Sequence, residues 1–508
     1  MASAKKTAGP RVLGRNLQGP LSKMKIVKSP PAGPVAHLLV LGEKESPRAI
    51  KKHTDHPLLP WELEEAEGKN SAIARFTLPG GPLYVVRLKE AAGKPDGANY
   101  GWLDAGAYGV ARDQCGVALR RLRAHGLPAV HISFGEVSPA ALRGALVGLE
   151  MAAYRFLEAK PRKKKKEAVW TMTGVSAACL KEAEILGQSV NLTRHLVNLP
   201  ANQLHPTSYS DTVKGLFSGN KSVRVEVWKE ARLKKEKAGL ILGVGGASEH
   251  PPCLVHVRWR PPGAGKKKPV AFVGKGITFD TGGLDIKPSG SMRLMKKDMG
   301  GSAAVLGLAW WVINRKLKQP CDFWLPMAEN AVDSRSIRPG DVLTARNGQT
   351  VEIHNTDAEG RLILADALDA ATDQKGANKP GLVVDIATLT GAARVGVGTA
   401  MGALFTTENK RGHQVLEAGS RQGDFMWPMP LYEGYEKGLK TVFADVNHCS
   451  TSRYAGASTA ALFLKRFTRG LPWVHLDIMG WSETGGALSE TGGNGQSVQC
   501  LAEFISQY

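Results

Sequence analysis

The sequence predicts an α/β protein in which a small N-terminal α/β domain is joined by one helix to a larger C-terminal α/β domain with a central mixed sheet. Three observations carry that expectation. Short apolar, strand-like runs alternate with helical stretches along the chain. Its 508 residues exceed what one hydrophobic core usually organises. Hydrophobic residues at 43% against 22% charged suit a globular protein rather than a disordered or fibrous one. The expected organisation is a basic flexible tail over residues 1–33, an N-terminal domain over 34–172, a linker helix over 173–199 and the larger domain over 200–508.

The tail comes first. Lys5, Lys6, Arg11, Arg15, Lys23, Lys25 and Lys28 precede Glu43, the first acidic residue, a bias that suits either a basic tail or a mitochondrial targeting segment. Pro10, Pro20, Pro30 and Pro31 break any long amphipathic helix there, which favours a flexible tail and a cytoplasmic protein over mitochondrial import. HLLVLG near His37, LYVVRL near Leu83 and AVHISFG near Ala129 read as strands. Ala140 to Leu157 has helical apolar spacing, with Ser138 and Pro139 placed as cap and first residue. The basic run Arg162–Lys166 reads as a solvated interdomain segment, and Val175 to Leu199 as the bridging helix stopped by Pro200. In the larger domain LILGVGG, PVAFVG, CDFWLPMAE and GLVVDIATL are strand-like, interleaved with helices over Ser302–Lys316 and Leu362–Thr372.

Composition removes several classes. The six cysteines form no CxxC pair, which argues against a disulfide framework or a cysteine zinc site and fits a reducing compartment. No apolar run approaches the roughly 18–20 residues of a membrane helix, and no signal-peptide core follows Met1. The net charge of +21 leaves nucleic-acid binding or scaffolding through the basic N-terminal third as an alternative, but no nucleic-acid-binding module accompanies the basic runs.

Two clusters carry chemistry. In the first, VGKGITFDTGGLDIKPSGSMRLMKKDMGG from Val273 to Gly301, a buried-type strand ends in a glycine-rich loop that would aim Lys275, Asp280, Lys287 and Asp298 inward. In the second, HNTDAEGRLILADAL from His354 to Leu368, Asp357 and Glu359 would share a face in a regular strand, and Gly360 allows the turn into a helix near Arg361. That helix start with Arg361 suits a small anion, although the cluster taken alone could be an ordinary helix cap on Asp357. Four carboxylates gathered from both clusters would repel one another unless cations sat between them, and oxygen donors suit Zn²⁺, Mn²⁺ or Mg²⁺.

Together the clusters resemble the leucyl aminopeptidase (cytosol aminopeptidase) family. NTDAEGRL stands at Asn355–Leu362, with GKGITFDTGG, IKPS and KDMGG before it, so that Lys275, Asp280, Lys287 and Asp298 follow at the family's spacings. The resemblance extends through ANQLHPTSYSD, PMAEN, ATLTGA and HLDI, and fades in the N-terminal third. It implies a dinuclear metallo-aminopeptidase acting on peptides, with two divalent ions, Zn²⁺ or Mn²⁺ first and Mg²⁺ or Co²⁺ as alternatives. Asp280 and Glu359 would bridge the ions, with Asp357 completing one site and a neutral Lys275 with Asp298 the other. Lys287 would stabilise the oxyanion, Arg361 would hold a bicarbonate base, Asn355, Leu389 and Gly391 would hold the peptide, and Met295 would line the side-chain pocket. The resemblance also implies a homohexamer. HLDIMGWSETGG places Met479, Trp481 and Ser482 where many members carry smaller or differently shaped residues, so a narrowed pocket is expected. No HExxH or GxSxG motif is present, and His354 is expected to pack or hydrogen-bond rather than to bind metal.

Overall fold

The computed structural model describes residues 20–31, 34–42, 45, 50, 73–78, 80–88, 106–123, 125–126, 128–156, 168–488 and 490–508. Most of the expected tail and the whole Arg162–Lys166 run lie outside them. The part of the tail that is described is not free: Leu21 is buried, its N–H donates to the Glu150 carboxylate at 3.1 Å, and Lys25–Ile26 adds an edge strand to a sheet. An apolar residue and unsatisfied strand groups are enough to draw this segment onto the domain.

The N-terminal sheet has six strands, β1 (Lys25–Ile26), β2 (Ala36–Leu41), β3 (Ile73–Leu78), β4 (Gly81–Arg87), β5 (Ala129–Phe134) and β6 (Val169–Thr173), in the order β1-β6-β5-β2-β4-β3. Helices α1 (Gly106–Arg123) and α2 (Pro139–Ala153) pack on one another. As expected, Ser138 caps α2, accepting from Ala141 N at 3.3 Å, with Pro139 in the first turn. The helix ends before Leu157 because Tyr154 turns out of it toward α3 (Ala177–Asn198), where its hydroxyl meets His195 and Asn198, each at 3.3 Å, and Arg194 lies over its ring at 4.7 Å.

Beyond α4 (Pro206–Phe217) comes a nine-stranded mixed sheet. Its members are β7 (Val223–Trp228), β8 (Cys253–Trp259), β9 (Val270–Gly274), β10 (Gly276–Asp280), β11 (Cys321–Asn330), β12 (Leu382–Ala387), β13 (Gly402–Thr406), β14 (Met426–Pro428) and β15 (Trp473–Asp477). The order is β14-β13-β15-β12-β9-β11-β8-β7, with β10 also paired to β11. The central strands β11, β9, β12 and β15 run parallel, and their near-continuous apolar sequences reflect burial on both faces. LILGVGG is a correction: Gly239–Gly245 is a short helix, α5, not a strand. The buried Asp366 carboxylate accepts from Leu240 N and Ile241 N at 2.9 and 3.0 Å, satisfying first-turn donors that a sheet would otherwise pair.

Helix α6 (Gly300–Asn314) covers one face of this sheet and packs on α3, while α7 (Gly360–Thr372) packs with α5 on β11 and β9. One apolar core runs without a break from Leu38 through Val147 and Leu192 to Phe272, so α2 and α3 form the layer that joins the two sheets. The parallel strands β9, β12 and β15 all end at the same side, where Lys275, Thr388 and Ile478 follow them. That rim is where an open α/β sheet normally places its chemistry.

Candidate metal centre

Each element delivers its residue to this rim for a local reason. Lys275 follows β9, its N–H donating to Ile386 O at 3.0 Å and its carbonyl accepting from Ser302 N at 2.8 Å. A Cβ on Gly301 would overlap Ile386 O, so only glycine lets α6 start this close to the strand ends. Asp280 ends β10, where its Oδ1 accepts from Gly282 N at 2.9 Å and Asn330 Nδ2 at 2.8 Å. Asp298 follows a 3₁₀ turn, Met295–Lys297, and accepts from the Thr388 hydroxyl at 2.8 Å. Asp357 and Glu359 do not share a strand face: Thr356–Ala358 is a 3₁₀ turn, and Glu359 is the residue from which α7 starts. The turn wins because Asn355 Oδ1 accepts from Asp357 N at 2.8 Å and the Thr356 hydroxyl donates to Gly282 O at 2.7 Å. The cap of this turn is therefore Asn355, not Asp357.

The result is a convergence of charge. One carboxylate oxygen each from Asp280, Asp357 and Glu359 lie within 4.8 Å of one another. The Lys275 ammonium is 2.8 Å from Asp298, 3.1 Å from Glu359 and 3.0 Å from Thr388 O. Lys287 is 2.9 Å from Asp280 and pairs with Asp357. A Cβ on Gly360 would overlap the end of the Lys275 side chain and displace its ammonium from this position. Burial disfavours the Lys275 ammonium, but Asp298, Glu359 and Asp280 outweigh it and hold its pKa above the ordinary lysine range. Lys287 is raised by the same contest, with Asp280 the main anion. Burial and then Asp280 push Glu359 up to about 8, and burial raises Asp298 and Asp357. Four carboxylates against two directly paired ammonium groups leave negative charge in excess, and among the described residues the buried Glu359 Oε2 has no hydrogen-bond partner. Oxygen donors with one amine, an unbalanced charge and an orphaned carboxylate oxygen fit divalent cations.

Lys275, Asp280, Lys287, Met295, Asp298, Asp357, Leu389 and Gly391 line one cavity of about 460 Å³. Glu359 and Arg361 do not line it, although Glu359 pairs with Lys275. Arg361 is buried, donates to His448 O at 3.2 Å and leaves Nε without a partner. Asn355 is not brought to the cavity lining; its side chain holds the turn instead. Of the expected narrowing residues Met479 lines the cavity, whereas Trp481 is buried with Lys296 Nζ 5.4 Å from its ring centroid, and Ser482 is not on the lining. His354 is exposed, and among the described residues its N–H donates to His448 while its side chain makes no hydrogen bond.

The sequence reading overlooked several supports. Asn330 and Thr388 lie within PMAEN and ATLTGA, so a question about which polar side chain braces each aspartate would have found them. Asp477, in HLDI, accepts from Leu389 N at 2.9 Å and Thr390 N at 3.1 Å and fixes the loop that carries Leu389 to the cavity. His448 approaches Asn355 O at 2.9 Å and Glu352 O at 3.1 Å; burial and then Arg361 push its pKa down to about 3, so it stays neutral. Nothing in the sequence around His448 signals that role.

A family profile described as "Cytosol aminopeptidase family, catalytic domain" matches residues 191–502. The probable cytosol aminopeptidase of Rhizobium meliloti strain 1021 is 37% identical over 496 residues, spanning 94% of this chain and 96% of that protein. Among solved structures, the cytosol aminopeptidase of Coxiella burnetii superposes with a TM-score of 0.78 at 29% identity, covering 96% of this chain and 99% of that one. A bottromycin maturation enzyme in complex with Mn superposes with a TM-score of 0.80 at 28% identity, covering 94% and 99%.

Proposed function

The chain belongs to the cytosol aminopeptidase family of metal-dependent aminopeptidases, and from that premise we propose that it removes N-terminal residues from peptides at a two-metal centre formed by Lys275, Asp280, Asp298, Asp357 and Glu359. The observation that carries this reading is the convergence of Asp280, Asp357 and Glu359 oxygens within 4.8 Å beside an unpaired Glu359 Oε2. Glu359 pairs with Lys275 and Asp280 with Lys287, and these two carboxylates would be shared by both ions, while Asp357 would serve one ion and Lys275 with Asp298 the other. Lys275 would ligate as the free amine, which requires an incoming cation to replace the proton that the carboxylates otherwise hold on it. When bound, a divalent pair supplies a nucleophilic water at neutral pH and polarises the scissile carbonyl; Zn²⁺ and Mn²⁺ suit the donor set best.

The chain's own residues do the rest. Lys287, held protonated by Asp280, lines the cavity, where its ammonium would stabilise the oxyanion of the tetrahedral intermediate. Arg361, with Nε unpaired, would hold bicarbonate as the base that moves a proton from attacking water to leaving amine. Leu389 and Gly391, on the loop fixed by Asp477, would hold the peptide backbone, with Asn355 setting the turn that carries Asp357. Met295 and Met479 would meet the N-terminal side chain. We further propose a homohexamer in the cytosol. The nucleic-acid alternative rests on basic runs that lie mostly outside the described residues.

The test is hydrolysis of leucyl arylamide by metal-loaded protein. Activity should vanish with chelator and return with Mn²⁺ or Zn²⁺, and elemental analysis should find two ions per chain. Full, chelator-sensitive activity in Asp357→Ala or Glu359→Ala protein would overturn the ligand assignment.

A further inference from the structure

Two cations on the cavity lining, Lys297 and Arg394, have no part in the chemistry above. Lys297 ends the 3₁₀ turn that delivers Asp298 and is 7% exposed, yet among the described residues its ammonium makes no hydrogen bond or ion pair. Arg394 is an exposed residue of α8 (Gly391–Val397), and among the described residues its one polar approach is Nη1 to the Met479 sulfur at 4.0 Å, a weak acceptor. The two positive charges repel one another.

The nearby anions are already committed. Asp298 is held by Lys275 and Thr388, and Asp477 by the N–H groups of Leu389 and Thr390 and the Thr390 hydroxyl. Glu483, the remaining acidic residue on the lining beyond the metal cluster, is exposed and pairs with neither cation. Lys297 feels the charges of Asp298 and Asp477 without a direct pair to either, and a nearly buried ammonium so placed gains from an anion that meets it directly. A guanidinium beside it adds a planar donor fork matched to a carboxylate, and Met295 and Met479 on the same lining suit the methylenes that carry one.

We propose that Lys297 and Arg394 are specificity-determining residues that receive a substrate carboxylate, so that peptides bringing one into the cavity are cleaved in preference to their neutral counterparts. This rests on the aminopeptidase reading and deepens it. The carboxylate has two available sources, an acidic N-terminal side chain or the free C-terminus of a dipeptide.

The experiment compares kcat/KM on the Mn²⁺-loaded full chain for two matched pairs. Glutamyl against glutaminyl arylamide isolates the side chain, and Leu-Gly against Leu-Gly amide isolates the terminus. The acid of at least one pair should be favoured by about tenfold or more, chiefly through KM, with the ratio shrinking as salt is raised. In Arg394→Gln and Lys297→Met that acid-over-amide ratio should fall toward about one, as expected when the charge partner is lost. Arg394 is exposed, so its variant keeps the test open if the Lys297 variant misfolds. Neutral substrates cleaved as well as both acids, or a ratio unchanged in both variants, would overturn the inference while leaving the aminopeptidase reading intact. No hydrolysis of any of the four substrates would overturn both.

Discussion

Glu359 shows how little freedom a residue at this centre has. It is 1% exposed, paired through one oxygen to Lys275 and unpaired through the other, and its charge is opposed by burial and by Asp280. Glu359→Gln should therefore lose bound metal, measured by elemental analysis, and kcat/KM should fall by roughly a hundredfold or more. Lys287→Met should separate the roles: the two ions stay, while kcat falls about 10²–10³-fold and KM changes less. Loss of metal in that variant would contradict an oxyanion role. At this scale the sequence was informative, because the proposed ligands sit in contiguous motifs whose spacing carries their meaning. Asn330 and Thr388 stand inside recognised motifs while His448 stands in none, and each braces a partner distant in sequence, a pairing that no local pattern encodes.

Helices and strands were legible where local chemistry agreed with tertiary demand. Ser138 and Pro139 marked the start of α2, and the apolar runs of β9, β11 and β12 marked the buried sheet. LILGVGG was misread because its donors are met by Asp366, more than a hundred residues away in sequence. That carboxyl is raised to about 7 by burial, so its folded pKa exceeds its unfolded one. The stability it contributes is complete below its unfolded pKa and is lost as pH rises through about 7. Asp366→Asn should thus compare more favourably with the parent at pH 8 than at pH 5 in thermal melts; a constant difference would refute the assignment. Gly301→Ala tests the close approach of α6 to β9 and β12. A Cβ there overlaps Ile386 O and lies 2.9 Å from Lys275 N, so both melting temperature and metal retention should fall.

The whole molecule couples its two larger sheets through one continuous core, with α2 and α3 between them. Because metal would bind the folded centre and not the dispersed ligands of the unfolded chain, chelation should lower the melting temperature; excess Mn²⁺ at a hundred times its Kd would restore about 2.7 kcal/mol. Light scattering should give a hexamer of the 54.4 kDa chain, and a monomer mass would refute that assembly. The sequence by itself determined the α/β class, the family and the residue types able to hold two cations, because periodicity and contiguous motifs survive in one dimension. Only the tertiary structure decided which end of the sheet gathers them, that Asp357 and Glu359 meet through a turn rather than a strand, and that Lys297 is left without a direct ion pair among the described residues. Those outcomes depend on distances between segments far apart along the chain, set by how strands pair and helices pack, and linear order does not record such distances.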